Sequence, residues 1–290
     1  MKNKNKTIGQ ALAKAARKLA SHGIESSVQE AEILLCNAIG CKRHELFLNS
    51  EKELPATALH KFSAFTQRRL KREPLQYILG SEEFCGLDIK VTRNTLIPRP
   101  ETEVLVEVAI KALSGFKEAH ATVIDLCTGS GCVAIAMAKM ANCIVYATDV
   151  SKEALETARE NAALNDASGM ITFFEGDLFA PLEGLAIKGK ASAVLANPPY
   201  IKTADMETLQ PEVRLYEPKA ALDGGKDGLD FYRRITHEAI KWLKPDGFLI
   251  FEIGFGQADM VKEIIEKTGF REICVIKDLS GIERVVRAVK

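Results

Sequence analysis

Asn197-Pro198-Pro199-Tyr200 places a side-chain amide, two rigid prolines and an aromatic ring in four consecutive residues, directly after the apolar run Ala193-Val194-Leu195-Ala196. The run reads as a short buried strand bounded by a turn signal. The prolines fix their own φ and hold Asn197 in extended geometry. The Asn197 side-chain amide and the Pro198 carbonyl then supply two fixed acceptors at a strand's C-terminal end, where open α/β sheets bind ligands. Two acceptors side by side suit a planar –NH2 group, and the Tyr200 ring can lie against its face. Such a nitrogen is a poor nucleophile because its lone pair is delocalised. Accepting both its N–H bonds localises that pair and aims it at an electrophile. The bland alternative is a strand-terminating turn, and the tetrapeptide decides nothing without a cofactor site upstream.

Residues 122–126 read as a strand, Cys127-Thr128-Gly129-Ser130-Gly131 as a tight loop, and residues 132–140 as an apolar helix. Gly129 and Gly131 let backbone approach a ligand closely, and the helix N-terminus behind them favours a negatively charged group. A second strand, 143–148, leads into Asp149, with Ser151 suited to cap the next helix. An acid there can accept hydrogen bonds from both hydroxyls of a ribose. Asp177, just beyond a third strand at 171–175, can meet an adenine amino group. Gly129-Ser130-Gly131-Cys132-Val133-Ala134 also fits the dinucleotide pattern G-x-G-x-x-A, so the glycines alone leave a nicotinamide cofactor and S-adenosylmethionine both open. With Asn197-Pro198-Pro199-Tyr200 one strand later, the methyl donor is favoured.

These motifs carry a specific resemblance. Gln76-Tyr77-Ile78-Leu79-Gly80, Glu83-Phe84-Cys85-Gly86-Leu87, Leu96-Ile97-Pro98-Arg99-Pro100-Glu101-Thr102-Glu103, Asp125 to Gly131, Asn197 to Tyr200, Tyr216-Glu217-Pro218 and the stretch Ala221 to Leu229 all resemble signatures of the release-factor glutamine methyltransferases, the PrmC/HemK family of S-adenosylmethionine-dependent enzymes. Asn-Pro-Pro-Tyr alone marks only a superfamily of amino-group methyltransferases; the run Arg99 to Glu103 with the Gly224 loop is narrower. The resemblance implies a class I methyltransferase fold: α/β, with a Rossmann-like seven-stranded sheet, a small all-α N-terminal domain and a linking β-hairpin. It implies a cofactor site at Cys127, Thr128, Gly129, Ser130, Gly131, Asp149, Asp177, Leu178 and Asn197. The acceptor is implied at Asn197, Pro198, Pro199 and Tyr200, of which Asn197, Pro198 and Tyr200 are catalytic. The implied substrate is the Gly-Gly-Gln glutamine of class I peptide-chain release factors, methylated at its side-chain amide nitrogen N5. Two departures stand out. Cys127 replaces a glycine common in the family, a small-for-small change if its φ is negative. Leu178 replaces a tryptophan that in some members covers the adenine, so a less tightly closed adenine pocket is expected.

Composition fits an ordinary folded protein of one large or two smaller domains: 290 residues, 47% apolar and 27% charged. Residues 1–6 are basic, but Lys14, Arg17 and Lys18 follow where a signal peptide needs an apolar stretch, and no eighteen-residue apolar run suggests a membrane span. Seven cysteines include no C-x-x-C pair, and the odd count speaks against a disulfide framework; a reducing cytoplasm is the simplest setting. No metal is expected. Asp223-Gly224-Gly225-Lys226-Asp227-Gly228 imitates a calcium loop, but Gly225 takes its third position and Arg234 its twelfth.

Lys plus Arg and Asp plus Glu each number 39, which speaks against a dedicated nucleic-acid binder. The charge is uneven, with fourteen Lys and Arg against nine Asp and Glu in residues 1–85. The run Arg68-Arg69-Leu70-Lys71-Arg72 reads either as the solvated end of a helix or as a partner contact.

Periodicity organises the rest. Ile8, Leu12, Ala15, Ala16 and Leu19 share one helical face. Ser26 with Gln29 reads as a capping box opening a second helix that runs to Gly40. Helices at 44–48 and 55–72 complete an all-α unit, residues 1–80, expected to dock the protein substrate. Residues 84–91 read as a β-hairpin inside a linker, 81–98. From 99 to 290 strands and helices alternate, the pattern of a parallel sheet. Residues 201–226 read as a long irregular loop. Strands at 247–253, 272–277 and 283–289 end the chain, and the last two are joined too briefly for a crossover helix, so the final strand should run antiparallel. Two rival readings are a glutamine methyltransferase acting on a ribosomal protein and an adenine-N6 nucleic-acid methyltransferase. The first is expected to lack the Arg99 to Glu103 run, and the second to carry a strongly basic recognition domain.

Overall fold

A computed structural model describes residues 6–116 and 120–290; the first five residues of the basic start lie outside the described residues. The chain divides into two compact units, Met1–Gly80 with Pro211–Tyr216, and Ser81–Gln210 with Glu217–Lys290.

The first unit is helical: α1 (Ile8–Ser21), α2 (Ser27–Ile39), α3 (Arg43–Leu48), α4 (Ala56–Leu70) and α5 (Leu75–Leu79). Helix α1 opens with a capping box in which Thr7 and Gln10 each accept the other's backbone N–H, at 3.2 and 3.3 Å. Ile8, Ala11, Ala15, Ala16 and Leu19 are its buried stripe. Ser26 does not form the expected box. At φ −83° and ψ 32° it lacks the extended backbone that aims a capping oxygen at the first turn, and its side chain makes no cap bond. Gly40, in the left-handed conformation, ends α2 as a C-cap.

The basic run at the end of α4 is a solvated end only in part: Lys71 is exposed, but the three arginines are paired. Arg68 pairs with Glu73 at 2.9 Å, and Arg69, only 6% exposed, is held by Glu30 and by Glu212. Arg72 reaches the other oxygen of Glu212 at 2.8 Å and the Gly23 carbonyl at 2.8 Å. Tyr216 adds a hydrogen bond to the Lys71 carbonyl at 2.7 Å. Arg69 and Arg72, with the Tyr216 hydroxyl, therefore fix the short segment Pro211–Tyr216 into this unit.

The second unit begins with an antiparallel hairpin, β1 (Ser81–Phe84) and β2 (Leu87–Lys90), followed by α6 (Pro100–Leu113). Alternation then gives β3 (Thr122–Leu126), α7 (Cys132–Ala141), β4 (Ile144–Asp149), α8 (Lys152–Leu164), β5 (Ile171–Glu175) and β6 (Ala191–Ala196). The stretch after β6 is not irregular throughout. It holds 3-10 turns at Thr203–Thr208 and Lys219–Ala221 around α9 (Pro211–Tyr216). Then follow α10 (Asp230–Trp242), β7 (Leu243–Glu252), α11 (Ala258–Glu266), β8 (Arg271–Lys277) and β9 (Glu283–Val289).

The seven-stranded sheet has the order β5-β4-β3-β6-β7-β9-β8. Strands β5 to β7 are parallel, and β9 runs antiparallel to both β7 and β8. Alternate residues feed opposite faces, as the period of two requires. Val123, Ala193 and Leu195 enter one core with α6 and α7, while Ile124, Val194 and Ala196 enter the other with α10 and α11. Both faces are covered, so β6 is buried along its whole length and reads as a continuous apolar run. Strand β3 has β4 on one side and β6 on the other, and this reversal opens a crevice at the strands' C-terminal ends. Among the described residues no helix is long and apolar enough to cross a membrane.

Candidate active site

The loop after β3 is held from below by a buried acid. Thr128 donates to Asp125 at 2.6 Å, and the backbone N–H of Thr128 reaches Thr148 of β4 at 3.0 Å. Burial, reinforced by the nearby Asp149 charge, pushes the Asp125 carboxyl up to about 7. Asp149 ends β4 and receives the N–H of Gly129 on one oxygen and that of Ser151 on the other, each at 2.9 Å. Ser151 caps α8 by accepting from Ala154. Burial raises the Asp149 pKa and those two N–H bonds oppose the rise. A carboxylate with one N–H on each oxygen keeps lone pairs for a ligand's hydroxyls.

A cavity of about 400 Å³ lies at the crevice, within the range of small-ligand sites. Cys127, Gly129, Asp149, Asp177, Leu178, Asn197 and Pro199 line it, so residues from four separate strand ends meet there as the sequence suggested. Thr128, Ser130 and Gly131 do not reach its wall, and neither do Pro198 and Tyr200. Thr128 and Ser130 are buried and line a smaller adjoining void, which Asn197 also borders. Asp177 sits at the cavity with its carboxylate paired to Arg234. Leu178 is 4% exposed and has a φ of +48°. Leu96, Pro218, Ala221 and Phe231 complete the apolar wall; the last three come from the segment beyond Tyr200, where no strand-end signal points.

Asn197 follows β6, and its Nδ2 donates to the Thr102 hydroxyl in the first turn of α6 at 3.2 Å. The Tyr200 hydroxyl donates to Glu252 at the end of β7, 3.4 Å away. Burial raises the Tyr200 phenol above its ordinary value, and the Glu252 charge adds to the rise. The Gly224 loop clamps this segment. Ile201 and Asp223 form an isolated parallel bridge, with the Gly224 N–H on the Ile201 carbonyl at 2.7 Å. A Cβ on Gly224 would stand 2.7 Å from the Pro199 carbonyl oxygen, and one on Gly228 only 2.4 Å from that of Tyr200. Gly224 and Gly228 of the run that imitates a calcium loop are thus required by close backbone approach. Glu217, 5% exposed, pairs with Arg99 and accepts the Ile97 N–H at 3.4 Å, which anchors the stretch Leu96 to Pro100.

Residues 10–80 match the PrmC N-terminal domain model, and residues 105–199 match that of the ribosomal protein L11 methyltransferase (PrmA). The chain is 46% identical to the release factor glutamine methyltransferase of Geobacter sulfurreducens over 92% of its own length and 91% of that protein. The chain belongs to the release factor glutamine methyltransferase family. Another member, from Moorella thermoacetica, is 42% identical over 98% of this chain and 99% of its own. Among solved structures, a methyltransferase from Pyrococcus furiosus superposes with TM-score 0.51 at 21% identity, covering 78% of this chain and 98% of its own. The hMettl16 catalytic domain in complex with MAT2A 3'UTR hairpin 6 gives 0.58 at 18%, covering 77% and 81%. These two likenesses establish a methyltransferase fold.

In this member of the release factor glutamine methyltransferase family, Cys127 does not meet the condition of a negative φ under which cysteine in place of glycine would be a small-for-small change. Its φ is +59°, the left-handed region that glycine occupies without strain. The cysteine holds this conformation because the loop around it is fixed by Thr128 and Gly129. Burial raises its thiol pKa well above the ordinary value, which keeps it neutral. Sequence reading missed Thr102, Asp125, Glu217 and Glu252 as members of the site. Asp125 and Thr102 lie inside the quoted motifs, so the signal was present without a role. Glu252 ends an apolar strand run with a lone acid, which is a detectable signal.

Proposed function

We propose that this protein transfers a methyl group from S-adenosylmethionine to the N5 amide nitrogen of the Gly-Gly-Gln glutamine in class I peptide-chain release factors, in the cytoplasm. The observation that carries the reading is the meeting of Asn197 with Asp149 and Gly129 at one cavity. The family relatives' name supports the substrate.

The cavity's chemistry fits the cofactor. Asp149 offers carboxylate lone pairs to ribose hydroxyls, and a Cβ at Gly129 would meet nothing within 4 Å, so backbone there stands open to a ligand. Leu96, Leu178 and Phe231 supply apolar walls for an adenine, with Asp177 at the edge; Cys127 and Gly129 line the approach, and Thr128 and Ser130 border the adjoining void. When bound, S-adenosylmethionine supplies an electrophilic methyl group on a cationic sulfur. The protein's part is orientation. The Asn197 Oδ1 and the Pro198 carbonyl accept the two amide N–H bonds, Pro199 keeps the pair rigid, and Tyr200 bounds the acceptor. No general base is required, because the proton can leave to water after transfer.

The helical unit, residues 1–80, is the element we assign to docking the release factor, the hairpin region 81–98 links it, and residues 99–290 carry the chemistry. The test is Asn197→Ala with purified release factor at saturating substrate. Methyl transfer is expected to fall about two to three orders of magnitude with S-adenosylhomocysteine affinity retained. Activity close to wild type would mean that Asn197 does not hold the acceptor amide.

A further inference from the structure

Helix α6 has a second side. Thr102 in its first turn meets Asn197 at 3.2 Å, while its sequence neighbours Glu101 and Glu103 border a separate groove of about 430 Å³. Pro100, Glu103, Val104, Glu107, Val108 and Lys111 form one side of that groove, and residues 276–280, from the end of β8 into the turn toward β9, form the other. At 1.5 Å per residue the helical stretch Pro100 to Lys111 is about 16 Å long. About five residues of extended chain cover that length. Val104 and Val108 stand one turn apart, as do Glu103 and Glu107, about 6 Å along the axis in each case. Alternate residues of an extended chain repeat at about 6.6 Å, nearly the same spacing. An extended segment laid along α6 thus meets an apolar row, Val104 and Val108 beside the half-buried Ile276, and an acidic row, Glu103 and Glu107.

The sheet order puts this groove on the side of Asn197 away from the cofactor cavity. Asp149 ends β4 and Asp177 follows β5, both on one flank of β6. Strands β7, β9 and β8 lie on the other flank. With cofactor on the first flank, the chain that carries an acceptor glutamine leaves over the second. The edge of the sheet there presents two uncovered apolar side chains: Phe255, after β7, is 82% exposed, and Leu279, between β8 and β9, is 108% exposed. The charge of the groove also selects its occupant. Glu101, Glu103 and Glu107 stand against Lys111 and Lys277, and Asp278 is taken up by Arg284 at 3.1 Å. Glu107 is exposed and has no hydrogen bond or ion pair among the described residues, so it is available to a cation.

We infer that this groove seats the extended segment next to the acceptor glutamine of the protein substrate, with apolar side chains over Val104, Val108 and Ile276 and a basic one at Glu107. The inference rests on the role proposed for Asn197 in holding that glutamine. It goes further by making residues that flank the glutamine part of what is recognised. Glu107 and Leu279 then set specificity without touching the cofactor or the reacting amide.

The experiment is release-factor methylation by wild type, Glu107→Gln, Glu107→Lys, Leu279→Asp and Asn197→Ala, with Glu156→Lys on exposed α8 as a charge-reversal control. Release-factor KM is expected to rise about threefold for Glu107→Gln and about tenfold for Glu107→Lys and for Leu279→Asp, with kcat retained. Melting temperature and S-adenosylhomocysteine affinity stay at the wild-type values, and added salt shrinks the Glu107→Lys effect. In parallel, p-benzoylphenylalanine in place of Leu279 is irradiated in the presence of release factor and the product is mapped by mass. The crosslink is expected within about ten residues of the Gly-Gly-Gln glutamine. A wild-type KM for Glu107→Lys and Leu279→Asp, or a rise that Glu156→Lys matches, overturns the groove. A crosslink to a remote part of the release factor, to a second copy of this chain, or to nothing overturns it as well. An impaired Asn197→Ala beside any of these results leaves the acceptor site standing, whereas a normal Asn197→Ala overturns both the groove and the role on which it rests.

Discussion

Thr128 donates to Asp125 at 2.6 Å, and this buried pair supports the loop on which the cavity's floor is built. Asp125 is 1% exposed and its pKa is pushed up to about 7, mainly by burial. The folded value lies above the unfolded one of about 3.9. Its contribution to stability is therefore complete below the unfolded value and is lost as pH rises through about 7. Thermal melts of wild type and Asp125→Asn at about pH 5 and about pH 8 test this. The wild type should lose more of its melting temperature over that interval than the variant. Parallel curves would show that Asp125 is already ionised in the fold.

The clamp on Tyr200 predicts unequal costs for two glycines of similar φ. Gly228 has φ +78° and a Cβ there would stand 2.4 Å from the Tyr200 carbonyl oxygen, whereas Gly256 has φ +74° and open space. Gly256→Ala carries only the left-handed strain, about 1–2 kcal/mol. Gly228→Ala must also displace the Tyr200 backbone, so its cost should exceed about 3 kcal/mol and methyl transfer should fall with it. Urea unfolding of both variants is the measurement. Equal losses would mean that the loop yields without moving Tyr200.

At Cys127 the φ of +59° predicts a gain from replacement by glycine. Cys127→Gly relieves about 1–2 kcal/mol of left-handed strain, offset by about 0.5–1 kcal/mol of added unfolded-state freedom. Stability should be unchanged or up to about 1.5 kcal/mol higher, with S-adenosylhomocysteine affinity retained. Asp149→Ala, by contrast, should weaken that affinity about ten- to a hundredfold, because it removes a charged acceptor at the cavity. A marked loss of stability for Cys127→Gly would show that packing of the thiol outweighs backbone strain.

The residues themselves show how far the sequence could be read. Strands β3, β5 and β9 fall where breakers bound short apolar or alternating runs, and β9 turns antiparallel because its connection to β8 is brief. Helix α5 spans five residues, too few for a helical period to show. The Ser26 side chain fails as a cap because the backbone before α2 is not extended, a feature no residue type announces. The meaning of Arg69 depends on Glu30 and Glu212, 39 and 143 residues distant, so the local run looks like free charge. Thr102 and Asn197 are 95 positions apart, and only the fold reveals that their side chains meet. Motif residues tied to backbone geometry were legible; partners recruited from distant strands and helices were not.

One assay decides the acceptor. Purified protein and labelled S-adenosylmethionine are offered release factor, ribosomal protein, tRNA and DNA in parallel, and the products are mapped by mass. The expected product carries a single added methyl on the glutamine of the Gly-Gly-Gln loop, lost when that glutamine is changed. Label in nucleic acid alone, or in a ribosomal protein alone, would contradict glutamine methylation of release factors by this protein.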